Sequence, residues 1–104
     1  VLGVSYKANI EDTRESPSLD LIELLEEMGA TVEYTDPHVP RLDFAGRKRR
    51  SVAPTPAALR KVDCLVIATN HAEFDWREIL ANARSIVDTR NALKGRKSSK
   101  IVRL

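Results

Sequence analysis

The chain opens on a short apolar run, "VLGVSY" at 1–6, and then crosses the polar stretch "YKANIEDTRESP" before apolar positions return with helical spacing. A run of this kind with two β-branched residues and a polar boundary predicts a strand buried on both faces. Ser16-Pro17 predicts a helix start, with a side-chain oxygen for the free amide groups and proline at the first helical position. Leu21, Leu24, Leu25 and Met28 then recur at i, i+3, i+4 and i+7, widened by Leu19 and Ile22, while Asp20, Glu23, Glu26 and Glu27 take the other face. Gly29 ends this helix, because glycine adopts the left-handed C′ conformation without steric cost.

"TVEYT" at 31–35 predicts a second strand, closed by the turn pair Asp36-Pro37. Strand, helix and strand within about 35 residues make a right-handed βαβ unit with a parallel pair. Residues 38–50 read as a loop ending in "GRKRR", "SVAP" as a very short edge strand, and "TPAALRKV" as a short helix. "DCLVIAT" at 63–69 is the most apolar run and the expected central strand, with Cys64 a small buried core residue inside it. A helix over 74–83 follows, with Phe74, Trp76 and Ile79 packing on the sheet, then strands in "SIVDT" and "KIVRL". Such alternation predicts an α/β fold: a three-layer α/β/α open parallel sheet, Rossmann-like, of about five strands.

Composition narrows the class. A length of 104 residues fits one domain, and 42% apolar with 31% charged residues is ordinary for a folded protein, which argues against disorder. No apolar run approaches the roughly 18 residues that span a membrane, and no secretory leader pattern opens the chain. One cysteine cannot make an internal disulfide, and His38 and His71 supply no zinc-ligand spacing beside it, so no metal is expected and a reducing, cytoplasmic setting is. A strand that begins at the first residue suggests a piece of a longer polypeptide.

The net charge of +2 hides an asymmetry. Residues 1–36 carry two basic side chains, Lys7 and Arg14, against nine acidic ones, a net of −7; residues 37–104 carry fifteen against six, a net of +9. Both cations of the acidic half therefore lie in the stretch between the first strand and the first helix.

In an open parallel sheet, ligands gather at the carboxyl ends of the strands. The predicted strands bring Tyr6 and Lys7, Asp36, Thr69, Asn70 and His71, and Asp88, Thr89 and Arg90 to that edge. Lys7 and Arg90, with Arg14 close to a helix start, suit a phosphate-bearing ligand. A dinucleotide site within this chain is excluded by its glycines, since Gly3, Gly29, Gly46 and Gly95 form no G-x-G-x-x-G. Asp36 then reads as a turn former and His71 as a loop histidine bonded to local backbone. "RKRR" at 47–50 has neither aromatic interleaving nor a reading helix, so no nucleic-acid partner is expected.

The quoted stretches also carry a resemblance. "GVSYKANIEDTRESPSLDLIELLEEMGATVEYTDPHV" closely resembles the start of the carboxy-terminal domain of the UDP-glucose and GDP-mannose dehydrogenase family, in which G-x-x-[YF]-K-x-x-x-x-D-x-R-E-S-P follows the first strand. "DCLVIATNHAEFDW" resembles the family's T-D-H-x-x-[FY] segment, with Asn70 where the family usually has Asp, and "IVDTRNAL" resembles its D-x-R-N element. The wording is more similar to the UDP-N-acetylglucosamine 6-dehydrogenase branch than to the UDP-glucose branch.

The resemblance implies that residues 1–104 are the UDP-sugar-binding domain of an NAD-dependent 6-dehydrogenase, with strand order 3-2-1-4-5 in which the "SV" segment is strand three. It implies an amino-terminal NAD domain, a central helical region for dimerisation and hence a homo-oligomer. The implied reaction is a four-electron oxidation of the sugar C6 alcohol to the carboxylate, supplying polysaccharide precursors. The reactive cysteine and the glycine fingerprint belong to the other domains, so the chain alone is expected to be inactive, with no catalytic residue in it. Carried over by position, Tyr6, Lys7 and Arg90 match residues on the UDP-sugar, and Arg14 matches one that reaches NAD. A stand-alone flavodoxin-like signalling domain is the alternative; a phosphoacceptor receiver needs acids where Tyr6-Lys7 and Thr69-Asn70 stand.

Overall fold

Leu2 joins the two halves of the main sheet, bridging in parallel to Thr35 on one side and Ile67 on the other. The computed structural model describes residues 1–5, 16–44 and 46–104. In chain order its elements are α1 (Pro17–Glu27), β1 (Arg41–Phe44), β2 (Arg47–Arg50), α2 (Pro56–Lys61), β3 (Leu65–Ile67), α3 (Trp76–Asn82), β4 (Ile86–Asp88) and β5 (Ile101–Arg103). β3, β4 and β5 form a regular parallel ladder in that order.

The opening segment and residues 34–35 extend this ladder through single bridges. Leu2 N donates to Val66 O at 2.8 Å, Gly3 N to Thr35 O at 2.8 Å, and Thr35 N to Val1 O at 2.9 Å. Beyond them Val52 N donates to Tyr34 O at 2.9 Å, and Thr35 Oγ1 to Val52 O at 2.6 Å. The succession is therefore Val52, Tyr34-Thr35, Leu2, β3, β4 and β5. The expected order is met in part: in this sheet β3, β4 and β5 are regular strands, β5 is one further strand at the edge, and the segments beyond β3 are joined by isolated bridges and hydrogen bonds.

Two cores form on the two faces. Leu2, Leu59, Leu65, Ile67, Phe74, Ile79, Ala83, Ile86 and Leu93 pack under α2 and α3, with Trp76 partly buried against them. Val4, Ile22, Tyr34, Val39 and Leu42 pack under α1 and the β1–β2 hairpin. α1 ends in a Schellman motif at Gly29 (φ +95°): Gly29 N donates to Glu26 O and Ala30 N to Leu25 O, both at 3.0 Å. At its start Ser16 is extended but its hydroxyl caps no amide, contrary to expectation; instead the Ser16 carbonyl accepts from Leu19 N at 3.2 Å. α3 begins two residues later than its apolar pattern, because Asp75 caps Glu78 N at 3.2 Å.

Two further expectations are corrected. "RKRR" is not loop but the second strand of an antiparallel hairpin, with Leu42 opposite Arg49 and Phe44 opposite Arg47. Arg49 is only 8% exposed: its guanidinium takes both carboxylate oxygens of Glu26, at 2.7 and 3.0 Å, and lies 5.4 Å from the Phe44 ring centroid. Fork-to-carboxylate geometry and a stacked ring let arginine serve as an inward-facing strand residue. Cys64 is exposed rather than buried, because β3 begins at Leu65, two residues later than its apolar run, and points Leu65 and Ile67 into the core.

Gly3 is irreplaceable on two counts. Its φ is +90°, and a Cβ there would lie 2.4 Å from Thr69 Cβ and 2.8 Å from both Thr69 N and O. Gly3→Ala should therefore cost about 2–4 kcal/mol of unfolding free energy, read by urea denaturation; an unchanged midpoint would contradict the packing described.

The Arg49 hydrogen bond, with burial opposing it, holds the Glu26 carboxyl below the usual carboxylate range. A depressed folded pKa contributes stability that is present above the ordinary carboxylate pKa and lost as pH falls through the folded value. Glu26→Gln should thus lower stability at neutral pH, and its difference from wild type should shrink on acidification in parallel denaturation series.

Candidate functional site

At the carboxyl edge of the sheet the chain gathers two buried carboxylates, each surrounded by donors. Asp36 ends the segment beside Leu2 and is 1% exposed. Its Oδ2 accepts from Val4 N at 2.8 Å and Ser5 N at 3.3 Å, and its Oδ1 from His38 N at 2.8 Å. Oδ2 also lies 2.8 Å from His71 Nε2, in a contact whose two side chains are both fully buried. An ionised carboxylate only accepts, so Nε2 carries a proton, and Ser5 Oγ at 3.0 Å is its second acceptor.

His71 therefore does more than the local backbone role its sequence position suggested. It ties the turn after β3 to the turn after Tyr34, while Thr69 Oγ1 donates to Ser5 O at 3.1 Å. Ser5 is held through its amide, carbonyl and hydroxyl alike. Sequence reasoning recognised Asp36 as a turn former and missed this hub; "TDPH" and "TNH" at neighbouring strand ends were its only signal.

Asp88 plays the matching part after β4. It is 1% exposed, and its oxygens accept from Arg90 N at 3.0 Å, Ala92 N at 3.1 Å and Leu93 N at 2.9 Å. Asn91 takes a left-handed φ of 56°, which an Asn tolerates. Thr89 Oγ1 donates to Ile67 O at 2.7 Å. The loop is thereby fixed and the Arg90 side chain is directed outward.

Arg90 borders a cleft of about 510 Å³ with Ser5, Pro17, Ser18, Leu21, Ala68 and Thr89. Its guanidinium has no hydrogen-bond or ion-pair partner among the described residues, and the first turn of α1 faces the same space. A helix start and an unpaired guanidinium together favour an anion there. Tyr6, Lys7 and Arg14, the other predicted site residues, lie outside the described residues.

A second cluster lies on the other side of His71. His38 Nε2 is 2.8 Å from Glu73 Oε2, an ion pair by distance without the directionality of a hydrogen bond, and the two imidazole rings are 4.7 Å apart. Donor atoms of His38, His71 and Glu73 lie within 4.8 Å of one another, a spacing a divalent cation could bridge. The contacts already made, His71 with Asp36 and His38 with Glu73, account for the cluster. Glu73 is held below the usual carboxylate range, first by its own backbone amide and then by His38.

Fold and cleft together define an open α/β domain with an exposed arginine in a cleft at its carboxyl edge. The family model described as the UDP-glucose/GDP-mannose dehydrogenase family, UDP binding domain, matches residues 1–95. The chain belongs to that family. It is 34% identical over 102 residues to a UDP-N-acetyl-D-mannosamine dehydrogenase of Methanococcus maripaludis, covering 90% of this chain and 22% of that protein. A UDP-glucose 6-dehydrogenase of Rickettsia prowazekii is 32% identical over 109 residues, 97% of this chain and 25% of the other.

Among solved structures, the UDP-D-ManNAc dehydrogenase of Pyrococcus horikoshii superposes with a TM-score of 0.74 at 28% identity, over 98% of this chain and 24% of that one. The UDP-N-acetyl-mannosamine dehydrogenase Cap5O of S. aureus gives 0.72 at 27%, over 98% and 25%. The chain thus spans about a quarter of the length of the relatives it matches. The flavodoxin-like signalling alternative is not favoured.

Removing the Asp36 carboxylate would strand three backbone amides and take away the nearer acceptor of the His71 ring N–H. Asp36→Ala should cost about 3–5 kcal/mol, read by thermal or urea unfolding. A cost below about 1 kcal/mol would show that water replaces the carboxylate and that the hub is not what holds this edge.

Proposed function

We propose that residues 1–104 form the UDP-sugar-binding carboxy-terminal domain of a longer NAD-dependent nucleotide-sugar 6-dehydrogenase. The observation that carries this reading is the unpaired Arg90 guanidinium at the carboxyl edge, in a cleft shared with the first turn of α1, in a chain of the UDP-binding-domain family. In this reading Arg90 and Lys7 meet the pyrophosphate, Tyr6 lines the sugar-nucleotide site, and Arg14 stands as a fixed cation toward NAD. NAD itself is held by an amino-terminal domain outside this chain, and a central helical region makes the enzyme a homo-oligomer.

The reaction is oxidation of the C6 alcohol of a UDP-hexose to the uronic acid in the cytoplasm, with two NAD reduced. The sugar is UDP-N-acetylglucosamine, UDP-glucose or a close relative. The names of the similar proteins add UDP-N-acetyl-D-mannosamine to that set. Polysaccharide precursor supply is the corresponding role.

In the full-length enzyme, Lys7→Ala and Arg90→Ala should each lose about 2 to 5 kcal/mol of transition-state binding, as expected when one partner of a desolvated charge pair is truncated. The loss would be measured as kcat/KM for the UDP-sugar by NADH formation, with NAD saturating. The 104-residue chain by itself should form no NADH. If both variants keep the full kcat/KM, the site assignment is wrong.

A further inference from the structure

α1 carries acids and no base. Asp20, Glu23, Glu26 and Glu27 stand in it, and its last turn holds no basic residue. Carboxylates at a helix carboxyl end oppose the macrodipole, and acids four residues apart, such as Glu23 and Glu27, repel each other. The fold relieves one of them: Glu26 receives Arg47 at 2.9 Å and Arg49 at 2.7 Å from the β1–β2 hairpin. Asp20, Glu23 and Glu27 are exposed, and their side chains have no hydrogen-bond or ion-pair partner among the described residues.

The hairpin has the converse imbalance. Its inner face turns Leu42 and Arg49 toward the core and α1, so by strand alternation the other face carries Arg41, Asp43, Lys48 and Arg50, all exposed. Arg41 stands directly opposite Arg50, and Asp43 opposite Lys48. Facing residues on neighbouring strands have Cβ atoms about 5 Å apart, so the two arginines repel across the ladder. The side chains of Arg41, Lys48 and Arg50 likewise have no partner among the described residues. Two unrelieved fields of opposite sign are thus joined through the Glu26 contacts. They do not neutralise each other within one chain, because the hairpin turns its inner face to α1 and its outer cations away.

At 100° per residue, Glu23, Glu27 and Asp20 form a ridge at about 100°, 140° and 160° round α1 from the buried Ile22, with Leu24 and Met28 next at about 200° and 240°. Leu24 is 57% and Met28 83% exposed. Exposed ion pairs alone contribute little to association, and this bordering stripe supplies apolar surface to be buried with them.

We infer that this side of the domain docks a second copy of the same chain about a two-fold axis, with the outer hairpin face of each copy on the acidic ridge of the other's α1. A two-fold contact requires a surface complementary to itself. A basic strip joined to an acidic ridge meets that requirement, since one operation makes the pairing twice. The chemistry is the one the chain already uses between Glu26 and Arg47 and Arg49, repeated between copies with Glu23 and Glu27 against Arg41 and Arg50. None of these residues lines the Arg90 cleft, so the interface can be broken without altering that cleft's walls.

The test uses the full-length polypeptide at low ionic strength, where exposed charges are least screened, with self-association measured by sedimentation. Arg41→Glu/Arg50→Glu and Glu23→Lys/Glu27→Lys should each raise the dissociation constant at least about tenfold, because each sets like charges against one another twice. Mixed in equal amounts, the two variants should associate with about the wild-type constant: a reversed hairpin then meets a reversed ridge, and a native hairpin a native ridge. Recovery on mixing also shows that both variants are folded. Any pairing through a central helical region is common to all variants, so the difference between them reads this interface alone. A wild-type chain that does not self-associate, variants that associate as it does, or a mixture as weak as its components overturns the inference. Loss in the hairpin variant alone overturns it too, and points to a different acidic occupant of the strip.

Discussion

The carboxylate of Asp36 is the constraint on which the site edge depends. A buried charge has to be surrounded by donors, and here three come from backbone and one from the His71 ring. Those donors belong to three separate stretches: the end of the opening segment, the turn after Tyr34 and the turn after β3. One side chain thus fixes three strand ends relative to one another. Ser5 leaves this clamp with its amide, carbonyl and hydroxyl all engaged. The close approach at Gly3 serves the same end, because it lets Thr69 N reach Leu2 O at 3.1 Å and so sets the turn after β3 against the opening segment.

What the sequence made legible was whatever depends on near neighbours. α1 follows from its apolar period, its Ser16-Pro17 start and Gly29, and β3 and β4 from their short apolar runs. Asp36 was readable as a turn former because its bond to His38 N is two residues away. Its bonds to Val4 and His71 span 32 and 35 residues, and no local pattern announces them. The hairpin was hidden for a different reason. Charged residues read as solvated loop, yet Arg49 is an inward strand residue because Glu26 and the Phe44 ring receive it. Cys64 was placed one residue too deep, an error of strand boundary that moves a side chain from core to surface.

The charge asymmetry acquires a meaning from these contacts. Part of the basic surplus after residue 36 is met by the acidic first part across the fold, with Arg47 and Arg49 both on Glu26. That pairing removes two members of "RKRR" from the set available to an anionic partner. Arg90 is different: Asp88 holds the loop that carries it through backbone amides, and its guanidinium has no hydrogen-bond or ion-pair partner among the described residues. The position in the fold thus separates cations engaged in structure from one without a partner among the described residues, which composition alone does not do.

A valine row, Val66, Val87 and Val102 paired across β3, β4 and β5, places the candidate site in a wider setting. A sheet with one face sealed by α2 and α3 and the other sealed only over half its width is an incomplete sandwich. Covering the Val66–Val102 end would bury apolar surface at roughly 25 cal/mol per Å², a driving force available only where another segment reaches it. The same flank of α1 contributes Leu25 to a groove at the amino edge and Leu21 to the Arg90 cleft. Arg90 brings an exposed charge to that cleft, and the Asp36 clamp holds Val4 and Ser5 at the same edge of the sheet.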